Sequence, residues 1–458
     1  MPIVAGVDSS TQSVKVVLRD SDSGELIAST SRPHPDGTEI DPQHWWKALS
    51  EALDELGSHK ISAISIAGQQ HGMIALDKDG AVIRDALLWN DTRSDKAAVD
   101  LNQEIPDIAL RTGSQLVASF TASKLRWLAD NEKENASKVA AIALPHDWLS
   151  WKLSGAKSLD TLFTDRSDAS GTGYFDSVKN EYRLDILETA MRSSKQIILP
   201  KIIAQNQFGA TSVDSIPIAA GAGDNAGAAL GLGASLGDLV ISLGTSGTAF
   251  AVSKSSTHDS SGEVAGFADA TGNFLPLACT LNAAKIFNTV ARSLSISFEE
   301  FSSLALSAKA GAEGLRMVPH FDGERTPNKP RAKGSFHGIT HSNFTKENIA
   351  RASIEGVVAG MIYAARAVER LGVSCTRILL IGGAAKNAAV QQISADLFGR
   401  VIHIPAIGEY VADGAAKQAA WALSAKEYPP SWSLNELKRI SPRARMDGLL
   451  DSYLSLIS

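Results

Sequence analysis

Ile218-Ala-Ala-Gly-Ala-Gly-Asp-Asn-Ala-Gly-Ala-Ala-Leu-Gly-Leu-Gly233, followed by Leu239-Val-Ile-Ser-Leu-Gly-Thr-Ser-Gly-Thr-Ala-Phe-Ala-Val252, is the stretch whose reading decides the fold. A short apolar run enters a turn dense in small residues, where Asp224 and Asn225 stand side by side. The Ala- and Gly-rich residues after them predict a tightly packed helix. A strand–turn–strand follows, and its tip, Leu243-Gly-Thr-Ser-Gly247, has the composition of a phosphate cradle. One acid set just before such a loop is suited to taking a proton from a hydroxyl while the loop holds the group to be transferred. A Gly-rich turn is most often only a turn, and a single Asp most often a helix cap. The rest of the chain decides between these readings.

The same shape stands at the start of the chain. Ile3-Val-Ala-Gly-Val-Asp-Ser-Ser-Thr-Gln-Ser-Val-Lys-Val-Val-Leu18 is two β-rich runs joined by a small polar turn, a β-hairpin signature. Asp8 ends the first strand, and Ser9 to Ser13 form the tip. Small hydroxyl residues at a tight tip let backbone N–H groups approach phosphate oxygens. Ser10, Thr11 and Lys15 are the nucleotide-binding candidates here, and Asp8 is a candidate Mg²⁺ ligand, since that ion favours carboxylate plus phosphate oxygens. A phosphate hairpin repeated once per half predicts two similar lobes around one nucleotide, divided as 1–236 and 237–458. The glycine-rich junction near Gly233 to Gly237 is the candidate hinge.

Bulk properties narrow the class. The chain has 458 residues, 44% hydrophobic and 21% charged, with a net charge of -6. That is an ordinary globular composition with no basic footprint, which argues against a nucleic-acid partner. Two cysteines, Cys279 and Cys375, form neither a CxxC pair nor a zinc spacing. Met1 to Asp8 lacks the basic region and apolar run of a signal peptide, and no stretch reaches the roughly 18 apolar residues of a membrane span. A cytoplasmic address and no membrane partner are therefore expected.

Further clusters suit a polyhydroxyl ligand. Ile61 to Ala67 alternates like a strand and ends in Gly68-Gln-Gln-His-Gly72, where Gln70 and His71 can each donate and accept. Leu87-Leu-Trp-Asn-Asp-Thr-Arg93 brings Trp89 to a polar cluster, as expected where a sugar face stacks. Ile378 to Asn387 runs from an apolar strand into a Gly-Gly turn and a helix, with Gly383 and Asn387 as candidates beside a nucleotide. Asp41 and Pro42 open a helix whose Trp45 and Trp46 read as packing. Met317 to Asn328 is a long irregular segment of the kind that carries function or forms a lid. Asp176 to Leu199 reads as helical, and the residues from about Ser431 read as a helical, polar outer cap.

In this order, the pieces resemble the FGGY family of carbohydrate kinases, from Ile3 to about Trp421. Two segments carry the likeness most specifically. Ser119-Phe-Thr-Ala-Ser-Lys-Leu-Arg-Trp-Leu-Ala-Asp-Asn131 fits the first family signature, with Lys124 and Trp127 in place. Gly334-Ser-Phe-His-Gly-Ile339, then eight residues, then Asn348-Ile-Ala-Arg-Ala-Ser-Ile-Glu355 fits the second. Within the family the likeness is to the xylulose-phosphorylating branch, through Gln70-His71-Gly72, Leu88 to Arg93, Gly223-Asp-Asn225 and Gly323-Glu-Arg-Thr-Pro327. Gln70 departs from that branch, many of whose members carry Met there. The resemblance implies an α/β fold of two actin-like, ribonuclease-H-like lobes with a deep cleft. It implies Asp224 as proton acceptor and Asp8 acting on Mg²⁺–ATP. It places Gln70, His71, Asp224, Asn225 and Trp89 at the sugar, Gly244 and Thr245 at the phosphates, and Gly383 and Asn387 at the adenosine. The expected reaction is phosphorylation of the C5 hydroxyl of D-xylulose, with ATP and sugar as partners, and a homodimer is allowed. Two alternatives remain at this point: another ketose or polyol such as ribulose, fuculose or erythritol, and an actin-like ATPase with no sugar.

Overall fold

The computed structural model describes residues 2–57, 59–432, 438–443 and 446–457. Each half of the chain builds a seven-stranded sheet. In the first, β1 (Ile3–Ser9), β2 (Ser13–Asp20) and β3 (Leu26–Pro33) form an antiparallel meander. Helix α1 (Gln43–Glu55) crosses over, and β4 (Ile61–Gly68) returns parallel to β1. β5 (Phe208–Thr211), β6 (Pro217–Ala219) and the short β7 (Ala222–Gly223) complete the sheet, with β6 and β7 both parallel to β4. Asp41 opens α1 by accepting from the Gln43 N–H at 2.9 Å, and Trp45 is fully buried, so the packing reading holds.

The second sheet repeats the plan. β8 (Asp238–Leu243), β9 (Gly247–Ala251), β10 (Val264–Ala268) and β11 (Phe274–Thr280) form the antiparallel part. β12 (Arg377–Ile381) and β13 (Ile402–Ile404) follow in parallel on the other side of β8. β1 and β8, buried along almost their whole length, are the central strands, and both read as continuous apolar runs because both faces are covered. The repeat matches the two similar halves expected from the paired hairpins, and the plan of each is the ribonuclease-H-like one that the family resemblance implied.

The helices decide how the halves meet. α2 (Thr121–Asn131) is tied to the chain just beyond β4 by Thr121 and Lys124, which donate to the His71 carbonyl, and α3 (Asp224–Gly231) begins at the acid turn. α4 (Lys346–Arg370), capped by the Thr345 hydroxyl, runs through the second core. α5 (Ala388–Phe398) covers the parallel strands. α6 (Tyr410–Ser424) comes late in the chain but packs on the first sheet, where Ala412, Ala416, Ala419 and Ala420 meet Val4, Val17 and Ala63. α6 also crosses α3 with no room for side chains: a Cβ on Gly414 would stand 1.9 Å from the Gly227 carbonyl oxygen. Small residues in both helices are therefore required by backbone contact.

Two local expectations fail. Between Asp176 and Leu199 only Leu184–Met191 is helical, and Arg192, at φ 50°, turns the chain out of the helix. The C-terminal residues are not an outer polar cap. β14 (Lys438–Ile440) pairs with β13, and α7 (Asp447–Ile457) buries Leu450, Tyr453 and Ile457 in the second core. Polar residues between them mask that apolar face in the sequence; residues 433–437 and 444–445 of that stretch lie outside the described residues. No described helix is long and apolar enough to cross a membrane.

Candidate active site

Three parallel strand ends bring the two acids together. Asp8 and Ala222 both face Ala67 of β4, from opposite sides, and Ser9 and Gly223 both face Gly68. Asp224 follows Gly223 directly, as the first residue of α3. The carboxyl ends of parallel strands are where α/β folds bind ligands. Both acids line a cleft of about 640 Å³, together with Ser10, Lys15 and Asn225 from the first half and Ser242 and Gly383 from the second.

The acids differ in their surroundings. Burial pushes the Asp8 carboxyl up to about 7, against the pull of the Ser10 hydroxyl, which donates to its Oδ1, and of Lys15. Burial likewise pushes Asp224 up to about 6, opposed by Asn225. Oδ1 of Asp224 accepts from the Asn225 backbone N–H at 2.7 Å and from its side-chain Nδ2 at 2.9 Å, which leaves Oδ2 to the cleft. A carboxylate with one oxygen tethered and one free is oriented to accept a proton from a bound hydroxyl. Asp8, buried and held above the usual carboxylate range, gains from a neighbouring cation, so the site's chemistry fits Mg²⁺.

Gln70 and His71 lie outside the lining of this cleft. Gln70 packs against Gly223 and donates from Nε2 to the Ser167 carbonyl at 2.9 Å. His71 takes a left-handed backbone, at φ 71°, unusual for a residue with a side chain. Its ring packs in a three-ring cluster with Phe120, at 4.8 Å, and Phe267 of the second sheet, at 5.6 Å. Burial, then Lys124, pushes its pKa down to about 3, so the ring is neutral. Nδ1 lies 2.6 Å from the Gly171 carbonyl, which can only accept, so Nδ1 carries the proton and Nε2 is an acceptor. Trp89 does not reach the cleft lining. Its Nε1 donates to Thr11 Oγ1 at 2.9 Å, tying the sugar-loop candidate to the first hairpin tip. Gln70 and His71 both bond to carbonyls of one buried loop built of two short helical turns, Arg166–Ala169 and Ser170–Thr172.

Beside that loop, His146, Asp147 and Asp168 bring ligand-capable atoms within 4.8 Å of one another, the one such group among the described residues. His146 Nδ1 meets Asp168 Oδ2 at 2.5 Å, and against the cost of burial Asp147 and Asp168 hold the imidazolium up to about 10. This is a buried ion pair beneath Gly221, whose Cβ position lies 2.2 Å from the imidazole Cδ2.

On the nucleotide side the candidates divide. Gly383 lines the cleft, with Gly382 and Lys386. Asn387 instead caps α5: its Oδ1 accepts from the N–H groups of Ala389 and Val390 and from the Ser302 hydroxyl. An Asn before a helix serves either purpose, and only the neighbours decide. Gly244 and Thr245 form the outer tip of the second hairpin, beyond the cleft lining, with Thr245 exposed. Lys15 reaches Glu409, at the start of α6, at 2.5 Å. Ser242 and Lys386 line the cleft from within the two stretches Leu239–Val252 and Ile378–Asn387; Glu409 and Tyr410 also line it, and no sequence motif marks that pair.

Comparison with known proteins identifies the family. The profile of the N-terminal domain of the FGGY family of carbohydrate kinases matches residues 3–231, and that of its C-terminal domain matches residues 239–423. A xylulose kinase of Streptomyces rubiginosus is 41% identical, covering 93% of this chain and 89% of the relative. A xylulose kinase of Escherichia coli is 33% identical, covering 94% and 91%. The crystal structure of a xylulose kinase from Bifidobacterium adolescentis superposes with a TM-score of 0.91 at 41% identity, covering 99% of both chains.

Proposed function

The chain belongs to the FGGY family of carbohydrate kinases, and from that premise we propose that it transfers the γ-phosphoryl group of ATP to the C5 hydroxyl of D-xylulose, giving D-xylulose 5-phosphate and ADP. The pentulose rests on the relatives named xylulose kinase, which match along nearly the whole chain. The observation that carries the chemistry is the pair of acids on flanking strand ends, Asp8 and Asp224, with one oxygen of Asp224 free.

Phosphoryl transfer proceeds through a loose, in-line transition state, so the protein's contribution is positioning and charge neutralisation. Asp224 orients the attacking hydroxyl and takes its proton through Oδ2. Asp8 holds Mg²⁺, which when bound neutralises charge on the phosphate oxygens. Ser10, Thr11 and Lys15 serve the phosphates from the first hairpin, and Gly244 and Thr245 reach them from the second when the lobes close. Gly383 lies beside the adenosine. His71 Nε2 and the free Oε1 of Gln70 accept from sugar hydroxyls. We divide the lobes at 236/237, where Gly237 takes a positive φ of 89°.

ADP release with ATP and magnesium, measured against D-xylulose, ribulose, fuculose and erythritol, tests this reading. D-xylulose is expected to give the highest kcat/KM. ATP turnover that no sugar accelerates would overturn it in favour of an actin-like ATPase.

A further inference from the structure

Lys124 has no part in the reaction just described, and its setting is unusual. It is fully buried on the first turn of α2, where burial lowers its pKa to about 7, and among the described residues no carboxylate pairs with it; Asp91 acts on it only from a distance. An ammonium removed from water without a counter-ion is strongly disfavoured unless its N–H groups find acceptors. The acceptors here are two backbone carbonyls. Nζ donates to the Ser119 oxygen and, at 3.3 Å, to the oxygen of His71. The same His71 oxygen accepts from the Thr121 hydroxyl at 3.1 Å. One carbonyl thus takes two side-chain donors from one helical turn.

That carbonyl belongs to one of nine described non-glycine residues with a positive φ. A left-handed residue bearing a side chain persists only where its surroundings hold it. The orientation of this peptide sets the direction of the His71 ring, which packs on Phe120 and Phe267 with Nδ1 given to Gly171. We propose that Lys124, assisted by Thr121, is a positioning residue: it holds the left-handed peptide of His71 so that the imidazole presents Nε2 as an acceptor to a sugar hydroxyl. Lys124 therefore sets sugar affinity without touching the sugar. The inference rests on the reading of His71 as a sugar contact.

The test is a double-mutant cycle with Lys124→Met, which keeps the apolar stem, and His71→Ala. Steady-state constants for D-xylulose and ATP, sugar-independent ATP hydrolysis and the thermal midpoint are recorded for each. Lys124→Met is expected to raise KM for the sugar roughly five- to ten-fold, the worth of one ordinary hydrogen bond from a donor that is part-charged at neutral pH. KM for ATP and sugar-independent hydrolysis stay within about two-fold. In the His71→Ala background the same substitution adds no more than about two-fold, the signature of one shared route. An effect of full size in that background, or an equal loss of sugar-independent hydrolysis, would overturn the proposal and leave Lys124 as architecture. Thr121→Val, which removes one donor, runs the same cycle if Lys124→Met does not fold, with a smaller effect in the same direction. Nitrogen-15 NMR of labelled histidines needs no substrate and separates this proposal from the choice of sugar. A His71 ring protonated at Nδ1, whose signals shift in Thr121→Val and Lys124→Met, is expected; a ring protonated at Nε2, or one indifferent to both substitutions, would refute it even if D-xylulose is the substrate.

Discussion

Replacing Asp224 by Asn tests the centre of the site, because the change is nearly isosteric and alters one atom's chemistry. Oδ1 can go on accepting from both nitrogens of Asn225. Only the free oxygen becomes an amide that cannot take a proton. Sugar binding should then survive while kcat falls by about 10²- to 10⁴-fold, or about 3–5 kcal/mol of barrier. The pH profile gives a second readout. With its carboxyl raised to about 6, wild-type Asp224 gains a proton, and loses its function as a base, as the pH falls through about 6. Saturating Mg²⁺–ATP draws the Asp8 titration down, so the acid limb of kcat belongs to Asp224 and should vanish in the variant. Stability should move the opposite way. A folded-state pKa above the usual 3.8 means the native protein holds this proton more tightly than the unfolded chain. The charged carboxylate is therefore a cost above about pH 6, shrinking to nothing below about 4. Asp224→Asn should thus be more stable at pH 7 by at most about 3 kcal/mol, and equal to wild type at pH 4. Coupled ADP-release assays from pH 5 to 9, with urea unfolding at pH 4 and 7, measure all three. A variant within about ten-fold of wild-type kcat, or one that keeps an acid limb near pH 6, would remove Asp224 from the base role.

The other predictions concern the frame and the nucleotide side. Gly414→Ala, whose Cβ would stand 1.9 Å from the Gly227 oxygen, should cost about 1–3 kcal/mol or more in urea unfolding, because neither helix backbone can give way easily. His146→Leu leaves Asp168 and Asp147 buried without their cation and should cost about 3–5 kcal/mol, read from the same unfolding curves at pH 7. Glu409→Gln breaks a part-exposed pair with Lys15, so stability should change by less than about 1 kcal/mol. Lys15, released toward the phosphates, should then lower KM for ATP; a raised KM would show that Glu409 aligns Lys15 instead.

The sequence was most informative where short-range chemistry repeats. Two β-runs around a small polar tip, each followed by later parallel strands, disclose paired lobes because a hairpin's alternation and turn residues are local properties. Asp8 and Asp224 were legible for the same reason: each is a carboxylate at the point where an apolar run gives out, and in an α/β sheet that point is the ligand-binding end. The family signature likewise marked Lys124 without saying what it holds, since its acceptor lies 53 residues earlier in the chain.

What the chain's order alone could not decide was which side of a group faces which neighbour. Asn387 reads in the sequence as lying beside the nucleotide; in the structure its Oδ1 accepts from the Ser302 hydroxyl and two α5 amides and so caps that helix. The C-terminal stretch reads as polar, yet Leu450, Tyr453 and Ile457 share one face of α7, and that face closes the second core. The helix from Tyr410 follows the second lobe in sequence, but the missing Cβ of Gly6 and Gly414 lets it lie on the first. Turns and strands are set by neighbours in the chain. The partners of a buried amide, amine or helix face are set by contacts between residues far apart in the chain, and these exist only once the two sheets have folded against the helices between them.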